Sequence, residues 1–163
     1  MSQVAESFPR VDDLRAAFDH AFARPIATPV AEVDVLAIRA GGGPCAFPQA
    51  AIAAIAAIDT ALHVVAVPSP APALRGVATF RGHVVAVWDL GLIVHGAPVE
   101  GVRWCAVLGD ETTAFAFDRL DGRVRVPAPA GALTGAVELS GTIYPIIDVA
   151  GAIAGAQGAR HER

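Results

Sequence analysis

Five histidines (His20, His63, His83, His95 and His161) and two cysteines (Cys45 and Cys105) are the residues of this chain best suited to hold a metal or act as nucleophiles. A zinc site needs three or four ligands, usually supplied by close pairs such as HExxH or CxxC. Here each histidine falls singly in an unrelated segment. The cysteines lie far apart in apolar runs, where they read as small buried hydrophobes of a reducing compartment. No GxSxG, P-loop or GxGxxG is present. Asp89 and Asp148 end two similar apolar runs and could serve acid–base work, but capping of the amides that follow explains both with fewer assumptions. The sequence shows no convergent catalytic site, so it predicts no enzyme, no metal and no cofactor.

Composition limits the remaining functions. The chain has 163 residues, of which 54% are hydrophobic and 17% charged, with a mean hydropathy of +0.51, enough to fold a core. All 12 basic residues are arginine, and they are scattered along a chain of net charge −4. That leaves no basic footprint for nucleic acid. The longest apolar run, at 50–58, falls far short of the ~20 residues that span a bilayer. The first ten residues lack the basic start and apolar stretch of a secretory signal. A cytoplasmic protein without direct membrane insertion is expected.

The elements that must position any site begin with residues 11–23. Val11, Leu14, Phe18 and Phe22 recur there every three or four positions, opposite Asp12, Asp13, Arg15 and Asp19. This predicts an amphipathic helix, ended by Pro25 and Pro29. The helix either packs on the body of the domain or docks into a partner's groove. From Val33 onward short Val, Ile and Phe runs alternate with Gly and Pro, which predicts strands at 35–39, 44–47, 63–67, 77–80, 84–88, 104–108, 114–117, 124–126, 136–139 and 143–147. Within 50–58, Ile52, Ile55 and Ile58 recur every third residue among alanines, which predicts one or two helical turns.

An internal repeat organises these strands. Leu74, Gly76, Gly82 and Asp89 align with Leu133, Gly135, Gly141 and Asp148 at one constant offset and without a gap. Upstream, residues 35–38 resemble 104–107, and Ala46-Phe47 resembles Ala116-Phe117. Each half then holds about five strands, the number that closes a small barrel, so the expected fold is all-β: two five-stranded β-barrels plus an N-terminal helix. The expected division is a helix and Pro-rich linker at 1–32, the repeated domain at 33–155 and a tail at 156–163. In both halves a glycine, Gly82 or Gly141, follows the first turn residue of a tight hairpin and supplies the positive φ it needs. The residue before it differs, Arg81 in one half and Ser140 in the other. Arg81 is thus either a turn arginine, solvated or paired with a nearby carboxylate, or a cation with a role beyond the fold.

The segment Leu74-Arg75-Gly76-Val77-Ala78-Thr79-Phe80-Arg81-Gly82-His83-Val84-Val85-Ala86-Val87-Trp88-Asp89-Leu90 resembles the signature of the CheW-like coupling domain, a Gly-Val-x-x-x-Arg-Gly hairpin leading into a Val-rich strand closed by Asp-Leu. The resemblance extends over 33–153. It implies a non-catalytic adaptor that couples chemoreceptors to a sensor histidine kinase in a chemosensory pathway. The implied partners are the kinase's own CheW-like regulatory domain and the receptor's cytoplasmic tip, and any membrane association would come through receptor complexes. The implied partner-binding residues are Val77, Phe80, Arg81 and Gly82 of the hairpin, with Ile52 and Ile55. Two departures stand out. The family's Val-x-Glu-Ile segment, whose glutamate pairs with the hairpin arginine, is here Ile52-Ala53-Ala54-Ile55, and the usual proline of the Val-rich strand is Ala86. A diverged module that binds another signalling protein or a small ligand is the alternative.

Overall fold

The computed structural model describes residues 10–22, 31–128 and 133–158. The chain divides into two compact units, Met1–Val30 and Ala31–Arg163. In the first unit, helix α1 (Val11–Phe22) carries Asp12 and Asp13 in its first turn, where carboxylates complement the helix dipole. Position 23, included in the expected helix, lies outside the described residues.

The second unit contains strands β1 (Glu32–Ala40), β2 (Gly43–Pro48), β3 (Ile52–Ala57), β4 (Leu74–Phe80), β5 (His83–Asp89), β6 (Trp104–Leu108), β7 (Thr113–Phe117), β8 (Arg119–Pro127), β9 (Ala136–Leu139) and β10 (Thr142–Pro145). Helices α2 (Leu90–His95) and α3 (Val149–Gly158) follow β5 and β10. Three hairpins turn on two residues with positive φ. These are Gly41 (59°) and Gly42 (78°), Arg81 (48°) and Gly82 (86°), and Ser140 (52°) and Gly141 (77°). Such turns match the twist of the strands they join.

β3-β6-β7-β5-β4 form a five-stranded sheet in which β5 and β7 run parallel. β2-β1-β8 form a second sheet and β10-β9 a third, and a parallel bridge between Ala46 and Ile146 joins β2 to β10. The order β8-β1-β2-β10-β9 therefore repeats β3-β6-β7-β5-β4, and the sequence repeat aligns four of the five pairs, β1 with β6, β2 with β7, β10 with β5 and β9 with β4. The halves are interleaved: β3 leaves the first hairpin for the second half, and β8 returns to the first.

The expectation of an all-β pair of closed barrels is corrected by this topology. No sheet among the described residues closes on itself, and helices follow both repeated hairpins. Closure requires the edge strands to pair. β4 instead gives its outer edge to a single bridge from Val65, and the β9–β10 hairpin meets β2 through one bridge only. For the same reason 63–67, expected as a strand, contributes only that bridge.

The helix expected at 50–58 is a 3-10 turn (Gln49–Ala51) followed by β3. The register explains the misleading spacing. Ile52 pairs with Leu108 and Ile55 with Ala106, with a shift between Ile52 and Ala54. The extra residue of this bulge lets isoleucines three apart in sequence share one face of a strand. Both then pack against the main core, which unites Ile38, Cys45 and Phe47 of the first half with Trp88, Phe115 and Phe117 of the second. The Phe47 and Phe115 rings stack across the boundary at 6.1 Å.

Candidate functional site

The tip of the β4–β5 hairpin presents Arg81, Gly82, His83 and Val84 to solvent, with Phe80 half-buried behind them. The turn lifts Arg81 back over its own strand. Its guanidinium carbon lies 4.9 Å above the Phe80 ring centroid, and Nη1 donates to Glu111 Oε1 at 3.2 Å. His83 Nε2 lies 4.0 Å from the other oxygen of Glu111. The acid comes from the β6–β7 turn and not from the segment after the first hairpin, where Ala54 stands. Arg81 is 63% exposed, so the pair contributes at most about 1 kcal/mol and leaves the cation available. Glu111 was not singled out from the sequence. Its place in the polar turn Gly109-Asp110-Glu111-Thr112 was the available signal, but nothing local links it to a residue 30 positions away.

The other expected contact residues are distributed differently. Val77 is half-buried and fully engaged through its backbone: it pairs with Ala86 on one side and exchanges two hydrogen bonds with Val65 on the other. Ile52 and Ile55 lie on β3, at the opposite end of the sheet from β4. The structure thus brings Phe80, Arg81 and Gly82 together, places Val77 along the same strand, and separates Ile52 and Ile55 from them in strand order.

Asp89 is 1% exposed, and its two oxygens accept from the amides of Leu92 and Val99 and from Arg75 Nη1 at 2.6 Å. It caps α2 and ties down the segment that follows. Asp148 accepts from the Ala150 amide at the start of α3. Both carboxylates therefore sit where helices begin, as capping requires. Cys45 and Cys105 are buried free thiols whose pKa values burial pushes up to about 12, with the Asp118 charge adding to the effect on Cys45. Thiolate chemistry is correspondingly suppressed. Among the described residues no group of three or more His, Cys, Asp or Glu could hold a metal ion. No helix among them is long and apolar enough to cross a membrane.

A cleft of about 700 Å³ opens between the halves, lined by Arg39, Gly42, Arg103, Trp104, Asp118 and Arg119 among others. At its side, Asp121 accepts from Arg39 Nε at 2.9 Å, from Tyr144 Oη at 2.6 Å and from Arg119 Nε. Burial pushes the Asp121 carboxyl up, but the hydrogen bonds from Tyr144, Arg119 and Arg39 outweigh it and hold the pKa below the usual value. The same bond raises the pKa of the Tyr144 phenol, and the Asp121 bond raises that of Arg39 against the opposing effect of burial. These groups clamp β1, β8 and β10 together on the floor of the first half.

In sequence the chain matches no family model and no curated protein. In structure it is similar to the scaffolding protein TtCheW from Thermoanaerobacter tengcongensis, with a TM-score of 0.59 and 11% identity over 73% of this chain and 90% of that one. At that identity the likeness is one of fold alone.

Proposed function

We propose that this protein is a non-catalytic adaptor that couples a chemoreceptor's cytoplasmic tip to the CheW-like regulatory domain of a sensor histidine kinase. The observation that carries the reading is the β4–β5 hairpin tip, where an exposed Arg81 rests on Phe80 beside an uncovered Val84. A planar cation lying on an aromatic ring loses little conformational freedom on binding and keeps donors free for a partner's carboxylates or carbonyls. The fold shared with a scaffolding protein supports the same reading. Val77 and Gly82 hold the tip in shape, while Ile52 and Ile55 form a separate contact on β3. The test is Arg81→Ala, with affinity for a purified kinase regulatory domain and melting temperature measured on the same preparation. Binding weakened by about tenfold or more, a change of ~1.4 kcal/mol, with melting unchanged, supports the site. Affinity within about twofold of the native value ends it.

A second reading, a module for a small ligand, is favoured by one observation. The cleft between the halves combines an exposed Arg103, which makes no ion pair with any described residue, with the partly exposed ring of Trp104. Calorimetric titration with carboxylate and phosphate compounds distinguishes it from the adaptor reading, because Arg103→Ala would abolish that heat and leave kinase binding intact.

A further inference from the structure

Two turns meet at the hairpin tip, and each holds a charged residue in the left-handed region that glycine occupies at least cost: Arg81 at φ 48° and Glu111 at φ 51°. The strain at Glu111 has no return within the fold. Asp110, the residue before it, fastens the β6–β7 turn by accepting from the Thr112 amide at 3.1 Å, the Thr112 hydroxyl at 2.8 Å and the Thr113 amide at 3.2 Å. The Thr112 carbonyl ties the same turn to β5 by accepting from the Ala86 amide at 2.8 Å. None of these bonds uses the Glu111 side chain. Its carboxylate instead takes one nitrogen of a solvent-exposed cation, a pair that stabilises little. A residue held at conformational cost without a structural gain points to a role outside the fold.

The same bond leaves a definite part of Arg81 open. Nη1 is committed to Glu111, and the face of the guanidinium rests on Phe80. Nε and Nη2 make no hydrogen bond to any described residue. Together they form one edge of the planar cation, whose two parallel N–H groups match the two oxygens of a carboxylate. We propose, resting on the adaptor reading of this tip, that Glu111 is a positioning residue: it holds the Arg81 guanidinium on Phe80 so that the Nε–Nη2 edge receives a carboxylate of the partner as a bidentate pair. An arginine already fixed by a ring and an acid loses less rotamer freedom on binding, so Glu111 raises affinity without touching the partner. The Glu111 side chain is 31% exposed against 63% for Arg81, so the cation and not the acid is presented.

The test is Glu111→Gly in the full chain, with affinity for the purified kinase regulatory domain and melting temperature measured together. Glycine removes the carboxylate and relieves the positive φ, so affinity should fall by about fivefold or more while the melting temperature holds or rises. Glu111→Gln keeps the accepting oxygen and should stay within about twofold of native affinity. Arg81→Lys keeps the charge without the fork and should lose as much as Arg81→Ala. Added to Arg81→Ala, Glu111→Gly should cause no further loss, because it acts through the arginine. Without any partner, the Arg81 Nε–H should show a lower heteronuclear NOE in Glu111→Gly than in the native chain. Glu111→Gly with affinity within about twofold of native, while Arg81→Ala weakens binding, overturns the proposal and leaves the adaptor reading standing. Affinity and melting temperature that fall together, native affinity in Arg81→Lys, or an unchanged NOE also overturn it. Native affinity in Arg81→Ala ends the adaptor reading and this proposal with it.

Discussion

Gly41 and Gly91 meet backbone to backbone. A Cβ on Gly91 would come within 2.7 Å of the Gly41 Cα and 2.4 Å of the Ala97 carbonyl oxygen, and a Cβ on Gly41 would come within 2.3 Å of that same oxygen. The contact joins the first hairpin turn of one half to α2 of the other. Because the opposing atoms are main chain, no rotamer change can make room for a methyl group.

Gly91→Ala should therefore destabilise the protein by about 1–3 kcal/mol through overpacking, and Gly41→Ala by more, since its φ of +59° adds a conformational cost. Gly42→Ala is the control. That residue has positive φ but nothing near its Cβ position, so the loss should be only about 1 kcal/mol. Urea melts of the three variants establish the order.

Phe47→Ala should cost about 3–5 kcal/mol, because the ring is fully buried and stacked on Phe115 across the boundary between the halves. Phe115→Ala should cost a similar amount. The double variant should lose less than the sum, since the two rings share one contact, and a denaturation cycle measures the difference.

The Arg81–Glu111 pair should contribute little to stability. A double-mutant cycle with Arg81→Ala and Glu111→Ala should show a coupling below about 1 kcal/mol that vanishes in molar salt, because both groups are in contact with solvent. A larger, salt-resistant coupling would make Arg81 a structural residue.

Stability should fall on the acid side. Asp121 and Asp110 both have folded pKa values below the unfolded value of about 3.9. Their contribution is complete above that value and is lost as pH falls through the depressed folded values. Tyr144→Phe removes a donor to Asp121, so it should lessen the acid dependence in urea titrations carried from about pH 5 down to about pH 2, through the unfolded pKa and below it.

Both thiols should resist aromatic disulfide reagents in the native protein and react fully in urea. With pKa values of about 12 and no exposure, neither cysteine offers a thiolate until the core opens. Fast native labelling of either would contradict the buried placement.

The features legible in the sequence are local ones. The Arg81-Gly82 and Ser140-Gly141 turns were legible because positive φ is a property of two adjacent residues. The Asp89 and Asp148 caps were legible because a carboxylate reaches only the amides just beyond it. Even α2 left its mark, an Asp before it and Gly96 in the left-handed conformation after it, although no helix was read there. The repeat was legible because each hairpin carries its own pattern. The remaining features depend on contacts between distant segments. The isoleucines at 52–58 follow a helical spacing, yet a bulge against β6 makes them a strand, since pairing partners outweigh the weak helical preference of an alanine-rich segment. Whether five strands close depends on what reaches their edges, and here Val65 occupies β4 while β3 stays open. The Arg81–Glu111 pair and the Gly41–Gly91 contact join segments distant in sequence. Such contacts carry no local signature, because they exist only once the interleaved halves bring their turns together.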